Sequence, residues 1–387
     1  MPDELPAGPL VWAAAGGDRC RRGLFGGAVQ IAPAPARRLV ARGSVQAPVV
    51  FDANGTAFVS DMAGGVQAFG RDGERRWEVL LAGGVSAAPV VAMAASRLFV
   101  GTHAGRLYAL DATTGQEVWR REIPTRGDPR ILSDLLLLEE PGLVVVSSWG
   151  GRFWALDAGT AAERAAWDAG ISPRSAAAAA GGSIYCLRAV GGTGVELVRV
   201  TPDGSQAVLD REPETPRGAR RTVVGAAPVV DEAHGAVCFV TNGDRAARLH
   251  AWSLGAERRT WTCDLPAAVD ATPVVLPDGT VVVADLAGGL QAIGRDGATA
   301  WRYVTGAEYL LAGPVAELGS RLWLGDPLGI VHEVDRDGRG RAMFELPRSL
   351  QGRPSFDPSG GLYVPCMDHG VYVFPAASRP ALATPDA

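Results

Sequence analysis

The chain contains no lysine: all 37 of its basic residues are arginine, among 387 residues. A GC-rich coding sequence accounts for this and for the alanine excess. Acidic residues outnumber basic ones, leaving a net charge of −5, which argues against general nucleic-acid binding because that needs a basic surface. No apolar run approaches the roughly 20 residues that span a bilayer. The opening "MPDELPAGPLVWAAAGG" places acidic residues where a secretory signal places basic ones. The expectation is a soluble, cytoplasmic protein with no membrane partner. Cys20, Cys186, Cys238, Cys263 and Cys366 are odd in number, widely spaced and without a CxxC. They suit reduced thiols and give no zinc signature. Equally absent are HExxH, the P-loop, the dinucleotide glycine motif and a Ser/His/Asp order.

What the chain does have is repetition. "SAAPVVAMAASRLFVGTHAGRLYALDATTGQEVW", from Ser86, is echoed by "QAPVVFDANGTAFVSDMAGGVQAFGRDGERRW" from Gln46 and by "ATPVVLPDGTVVVADLAGGLQAIGRDGATAW" from Ala271. A further copy starts at Ala312, and weaker ones start at Ser133, Ser175, Ala226 and Arg353. The aligned positions Pro48, Pro89, Leu135, Ser175, Pro228, Pro273, Pro314 and Pro354 are separated by 41, 46, 40, 53, 45, 41 and 40 residues. Apolar residues alternate with period two inside each unit, which is strand and not helix periodicity. Four short strands repeating every ~40–45 residues are the pattern of propeller blades.

The eighth copy ends after three strands, at Phe374, while "ARRLVARGSVQAP" near the N-terminus reads as its missing fourth strand. The sequence therefore predicts an all-β, eight-bladed β-propeller of four-stranded antiparallel blades. Residues around Arg38 to Arg42 would complete the last blade and remove exposed edges. Residues 1–35 form an N-terminal extension, 36–374 the propeller and 375–387 a flexible Pro/Ala tail. Trp77, Trp119, Trp167, Trp261 and Trp301 recur at one blade position, and Phe344 replaces one of them. They are expected to wedge between neighbouring sheets.

"GRLYALDATTGQEVW" and "DGTVVVADLAGGLQAIGRDG" resemble repeats of the pyrroloquinoline quinone (PQQ)-type β-propeller family, and "VWAAAGGDRCRRGLF" resembles the segment preceding its first blade. The resemblance covers residues 11–374 and implies the fold more strongly than a function. The alcohol dehydrogenases of that family imply an adjacent Cys-Cys disulfide and a calcium set over the quinone, and no two cysteines here are adjacent. The family's outer-membrane assembly lipoproteins imply a lipidated cysteine, and "GGDRCRRG" is not that signal. The fit is to cytoplasmic PQQ-like propellers: no cofactor, no PQQ and no metal are expected.

Function should appear where copies depart from their consensus. The residue before the aligned position is usually small, but Asp134, Arg174 and Arg353 put charge there, near a narrow channel. Such charges either form a polar ligand site or pair internally. Asp61, Asp285 and Asp326 align in the loop between strands two and three, where they either hold a cation or fix their own turns. His103 and Trp149 follow in that loop, and Asp270, Glu308, Tyr309 and Gln351 lie on nearby connections. "SAAAAAGG", from Ser175, leaves space beside the channel, and "DREPETPRGARR", from Asp210, reads as a surface loop.

The leading expectation is a binding module, a monomer that takes a protein partner or small ligand on one ring face. That face would include Asp61, Trp149, Asp285, Tyr309, Asp326 and Gln351. The alternative is a small-molecule enzyme, of natural-product biosynthesis for example. It would use Asp134, Asp270 and Glu308 as acids, Arg174 and Arg353 as cations and His103 as proton shuttle. An enzyme requires a deep pocket where these converge; a binding module is expected to have a plugged channel.

Overall fold

The computed structural model describes residues 13–14, 16–27, 29–125, 127–170, 177–178, 182–191, 194–212, 223–224, 226–243, 246–317 and 321–377. These form eight sheets, one per repeat, each built on an antiparallel meander, with no α-helix among them. Blade two shows the plan: Val90–Ala92 runs innermost, followed outward by Arg97–Gly101, Arg106–Asp111 and Glu117–Glu122. Alternation sends one set of side chains to each neighbouring sheet. Val50, Phe58, Val66 and Ala68 of blade one thus pack on blade two, whereas Phe51, Ala57, Val59 and Phe69 pack on blade eight. Equivalent apolar clusters join each successive pair of blades around the ring.

The ring closes as the sequence predicts. Arg37–Val40 pairs antiparallel with Gly370–Phe374, Leu39 opposite Val371, and supplies the fourth strand of blade eight. Leu24–Phe25, within the expected extension, runs parallel to Val315–Glu317 and becomes a fifth, innermost strand of blade seven. At the other terminus Ile31 bridges Ala376, and residues 378–387 of the expected tail lie outside the described residues.

The repeating tryptophans lock blade to blade. Trp77 Nε1 donates to the Ala112 carbonyl of the next blade at 3.0 Å, Trp119 to Ala158 at 3.1 Å and Trp301 to Arg336 at 2.9 Å. Beneath Trp77 lies Gly115, whose φ is +74°. A Cβ there would sit 2.6 Å from the indole, so the turn needs glycine both for its backbone and for the close approach.

Each meander places its strand 1–2 and 3–4 turns at one end of the ring. Its strand 2–3 loops and the blade-to-blade connections lie at the other.

Candidate functional site: a channel filled from within

The innermost strands leave backbone groups facing the channel, and such groups are costly to bury unpaired. The N-terminal segment satisfies several of them. The N–H groups of Val91, Val230, Val275 and Ala316 donate to the carbonyls of Ala13, Cys20, Arg22 and Gly23 at 2.9, 3.0, 2.9 and 2.8 Å. Each donor lies two residues after the aligned proline of its blade, so Ala13, Cys20, Arg22 and Gly23 reach blades two, five, six and seven in turn. "GGDRCRRG" can coil this tightly because Gly16, Gly17 and Gly23 adopt φ of 73°, 84° and 71°.

Arg21 reaches across to blade three. It is 1% exposed, and its Nη2 donates to the carbonyls of Asp134 and Leu135 at 3.1 and 3.0 Å. Its Nη1 lies 3.6 Å from Asp134 Oδ2, while Asp134 Oδ1 accepts the Ala88 N–H at 2.7 Å. Burial lowers the pKa of Arg21, with Asp134 and Asp18 opposing. Arg353 is buried alongside, its Nε donating to Pro314 O at 2.8 Å and its Nη2 to Pro273 O at 3.5 Å. Burial pushes it down to about 10, Asp134 opposing and Arg21 adding to the fall.

Two of the three channel charges singled out in the sequence, Asp134 and Arg353, thus face the channel. Asp134 forms an internal ion pair whose partner comes from the extension. The third, Arg174, lies outside the described residues, as does most of the alanine run beside it. Sequence reasoning missed Arg21. The available signal was three arginines and an aspartate bracketed by glycines in the segment ahead of the first repeat.

At the end bearing the strand 2–3 loops, a cavity of about 110 Å³ is lined by Leu132, Ser133, Asp134, Trp149, Ala227, Asp270 and Thr272. It brings Asp134, Trp149 and Asp270 together. His103 is not in its lining: Nε2 contacts Ser86 Oγ at 2.8 Å, and burial lowers its pKa, Arg130 adding and Asp128 opposing. Glu308, Tyr309 and Gln351 also stand outside it. Asp61, Asp285 and Asp326 are buried, and each Oδ1 accepts two N–H groups of its own turn, such as Leu328 and Ile330 for Asp326. Asp326 Oδ2 also meets His332 Nε2 at 2.9 Å, and His332 Nδ1 meets the Tyr303 hydroxyl at 3.0 Å, tying blade six to blade seven. No three His, Cys, Asp or Glu side chains gather at metal-binding distance among the described residues.

At the opposite end the channel opens into a cleft of about 1140 Å³, between the N-terminal segment and blades two to five. The five cysteines are all free and buried. Burial pushes the Cys186 and Cys238 thiols up to about 12, which leaves them un-ionised and unreactive.

The fold and channel define an eight-bladed propeller whose own N-terminal segment enters its axis. The chain belongs to the PQQ-like repeat family, whose model, described as outer membrane protein assembly factor BamB, matches residues 62–247 and 234–355. No curated protein matches the sequence. Among solved structures, BamB from Moraxella catarrhalis is 18% identical, with a TM-score of 0.70, over 89% of this chain and 98% of that one. The quinohemoprotein alcohol dehydrogenase from Comamonas testosteroni is 15% identical, TM-score 0.71, over 97% and 82%. The computationally designed Ika8 protein is 14% identical, TM-score 0.67, over 88% and 99%. At these identities the likeness is one of fold.

Proposed function

We propose that this chain is a cytoplasmic, monomeric binding module that recognises a partner at one end of its ring, without a quinone. The observation that carries the reading is the Arg21–Asp134 pair. The chain's own segment occupies the axis, and its guanidinium takes up the carboxylate that a catalytic reading would use.

The absence of a quinone from this reading rests on the small size of the cavity at the loop-bearing end of the channel. PQQ is a rigid tricarboxylate of three fused rings. The loop-end cavity of about 110 Å³ has room for roughly four waters at ~30 Å³ each.

Titrating the purified protein with PQQ and calcium by calorimetry, followed by a dye-linked alcohol oxidation assay, tests the reading. No heat of binding and no oxidation are expected; stoichiometric uptake at micromolar concentration overturns it.

A further inference from the structure

In blades two, five, six and seven, the N–H two residues after the aligned proline is taken by the N-terminal segment. Blades one, three and eight differ, and of these blade three lines the large cleft. Its corresponding residue is Leu137, which pairs outward with Val144 just as Val91 pairs with Leu98. Alternate residues of a strand turn their N–H and C=O the same way. The Leu135 carbonyl faces the channel, where Arg21 takes it, so Leu137 presents both its backbone groups inward as well. Among the described residues, no backbone group of the segment bonds to Leu137.

That edge opens onto the large cleft. Leu137, Glu139 and Glu140 form one wall, and Ala13, Ala14, Asp18, Arg19 and Arg22 contribute to the other. About 1140 Å³ exceeds the ~300–1,000 Å³ usual for small-molecule sites. The lining also has a sign. Arg22 pairs with Asp18 at 2.7 Å and Arg19 with Glu232 at 3.6 Å. Glu139 and Glu140 remain exposed, and no cation among the described residues pairs with either. Among the described residues, Glu139 Oε1 accepts only the Met93 N–H, at 3.3 Å.

We propose that this cleft binds an extended, lysine- or arginine-bearing segment of a partner protein. The segment adds as a strand to the inner edge of blade three at Leu137, with its cation on Glu139 and Glu140. Strand addition supplies affinity through main-chain bonds and specificity through side chains. The parallel addition of Leu24–Phe25 to blade seven shows that these inner edges accept an extended chain. The proposal rests on the binding-module reading and gives it a surface and a ligand chemistry.

The probe is a fluorescein-labelled, amidated Lys-Val-Lys-Val-Lys-Val peptide, titrated into the full-length protein and read by anisotropy. Saturable binding is expected. It should weaken at least about tenfold in Glu139→Arg/Glu140→Arg, whose exposed positions leave its thermal melt unchanged. The same loss is expected for a probe N-methylated at alternate residues, which cannot pair with a strand edge. A Glu-Val probe should not bind. Absence of saturation at about 1 mM, or equal binding by the N-methylated probe, overturns the proposal. Binding that appears only after residues 1–12 are deleted assigns the cleft to the chain's own terminus and overturns it too. Quinone uptake is the separate result that removes the binding-module reading itself; peptide failure without it leaves that reading standing with another surface.

Discussion

Arg21 and Asp134 are 113 residues apart in sequence and 3.6 Å apart across the propeller's channel. The pair joins the N-terminal segment to blade three. Removing one partner of a buried ion pair typically costs ~3–5 kcal/mol, mainly by stranding the other charge. Asp134 keeps the Ala88 N–H, and its side chain is 25% exposed. Arg21→Met is therefore expected near the lower end, about 3 kcal/mol, by urea unfolding at neutral pH. Asp134→Asn strands a guanidinium that is 1% exposed and should cost at least as much. The double variant should fall short of the sum by about 1–3 kcal/mol. Simple additivity would show that the two side chains do not interact.

The tryptophan contacts make a second prediction. Gly115 and Gly235 both have positive φ, but a Cβ at Gly115 meets Trp77 at 2.6 Å, while at Gly235 it meets nothing within 4 Å. Gly235→Ala should cost only the left-handed backbone strain, ~1–2 kcal/mol. Gly115→Ala should cost at least about 1 kcal/mol more, because the indole must move and loosen its bond to Ala112. In a Trp77→Ala background the excess should vanish. If it persists, the contact with Trp77 is not its cause.

The fold was legible because each blade repeats the same physics. Period-two alternation, the Ala-Pro entry, the Asp-Gly turns and the tryptophan are local, and eight copies average out the noise. Closure by Arg37–Val40 could be read because blade eight visibly lacked a strand. The channel was harder. Asp134 and Arg353 stood out as departures from a small-residue consensus, but their environment depends on Arg21 and Gly23 in a segment that repeats nothing. The aligned Asp61, Asp285 and Asp326 illustrate the opposite difficulty. A carboxylate looks the same in sequence whether it faces solvent or, as here, accepts the N–H groups of its own turn.

Gly23 offers a test of the filled channel. A Cβ at this position would lie 2.4 Å from Arg353 Nη2 and 2.9 Å from Val274 Cγ2, at a φ of +71°. Gly23→Ala should therefore displace either Arg353 or the segment, freeing the amides that the segment protects. Hydrogen exchange at Val275 and Ala316, which donate to Arg22 and Gly23, is expected to speed up at least about tenfold. Gly306→Ala has a φ of +89° but nothing within 4 Å; it carries strain without the contact and should leave those two amides unchanged. Unaltered exchange in Gly23→Ala would mean that the segment is not held by this close approach.

His250 sets the acid limb of stability. It is 0% exposed, stacked on Phe239, with Nε2 2.9 Å from Thr241 Oγ1 and Nδ1 3.1 Å from Thr262 Oγ1. Burial pushes it down to about 4, Arg259 and Arg248 adding while Glu212 and Asp210 oppose. The unfolded chain protonates this imidazole near pH 6.5 and the folded chain only near 4, so the unfolded state binds more protons between those values. Stability is then fully present above pH 6.5 and falls as pH drops toward 4, by up to about 3 kcal/mol at ~1.4 kcal/mol per unit. Glu212 acts in a lower window. Although burial works to raise it, Arg259, His250 and Arg248 hold it below its ordinary value. Its contribution is present above about 4.5 and is lost only below that. Urea unfolding from pH 7 to 4.5 should therefore show a decline that His250→Gln, which cannot titrate, largely removes. An equally steep decline in that variant would place the titrating group elsewhere.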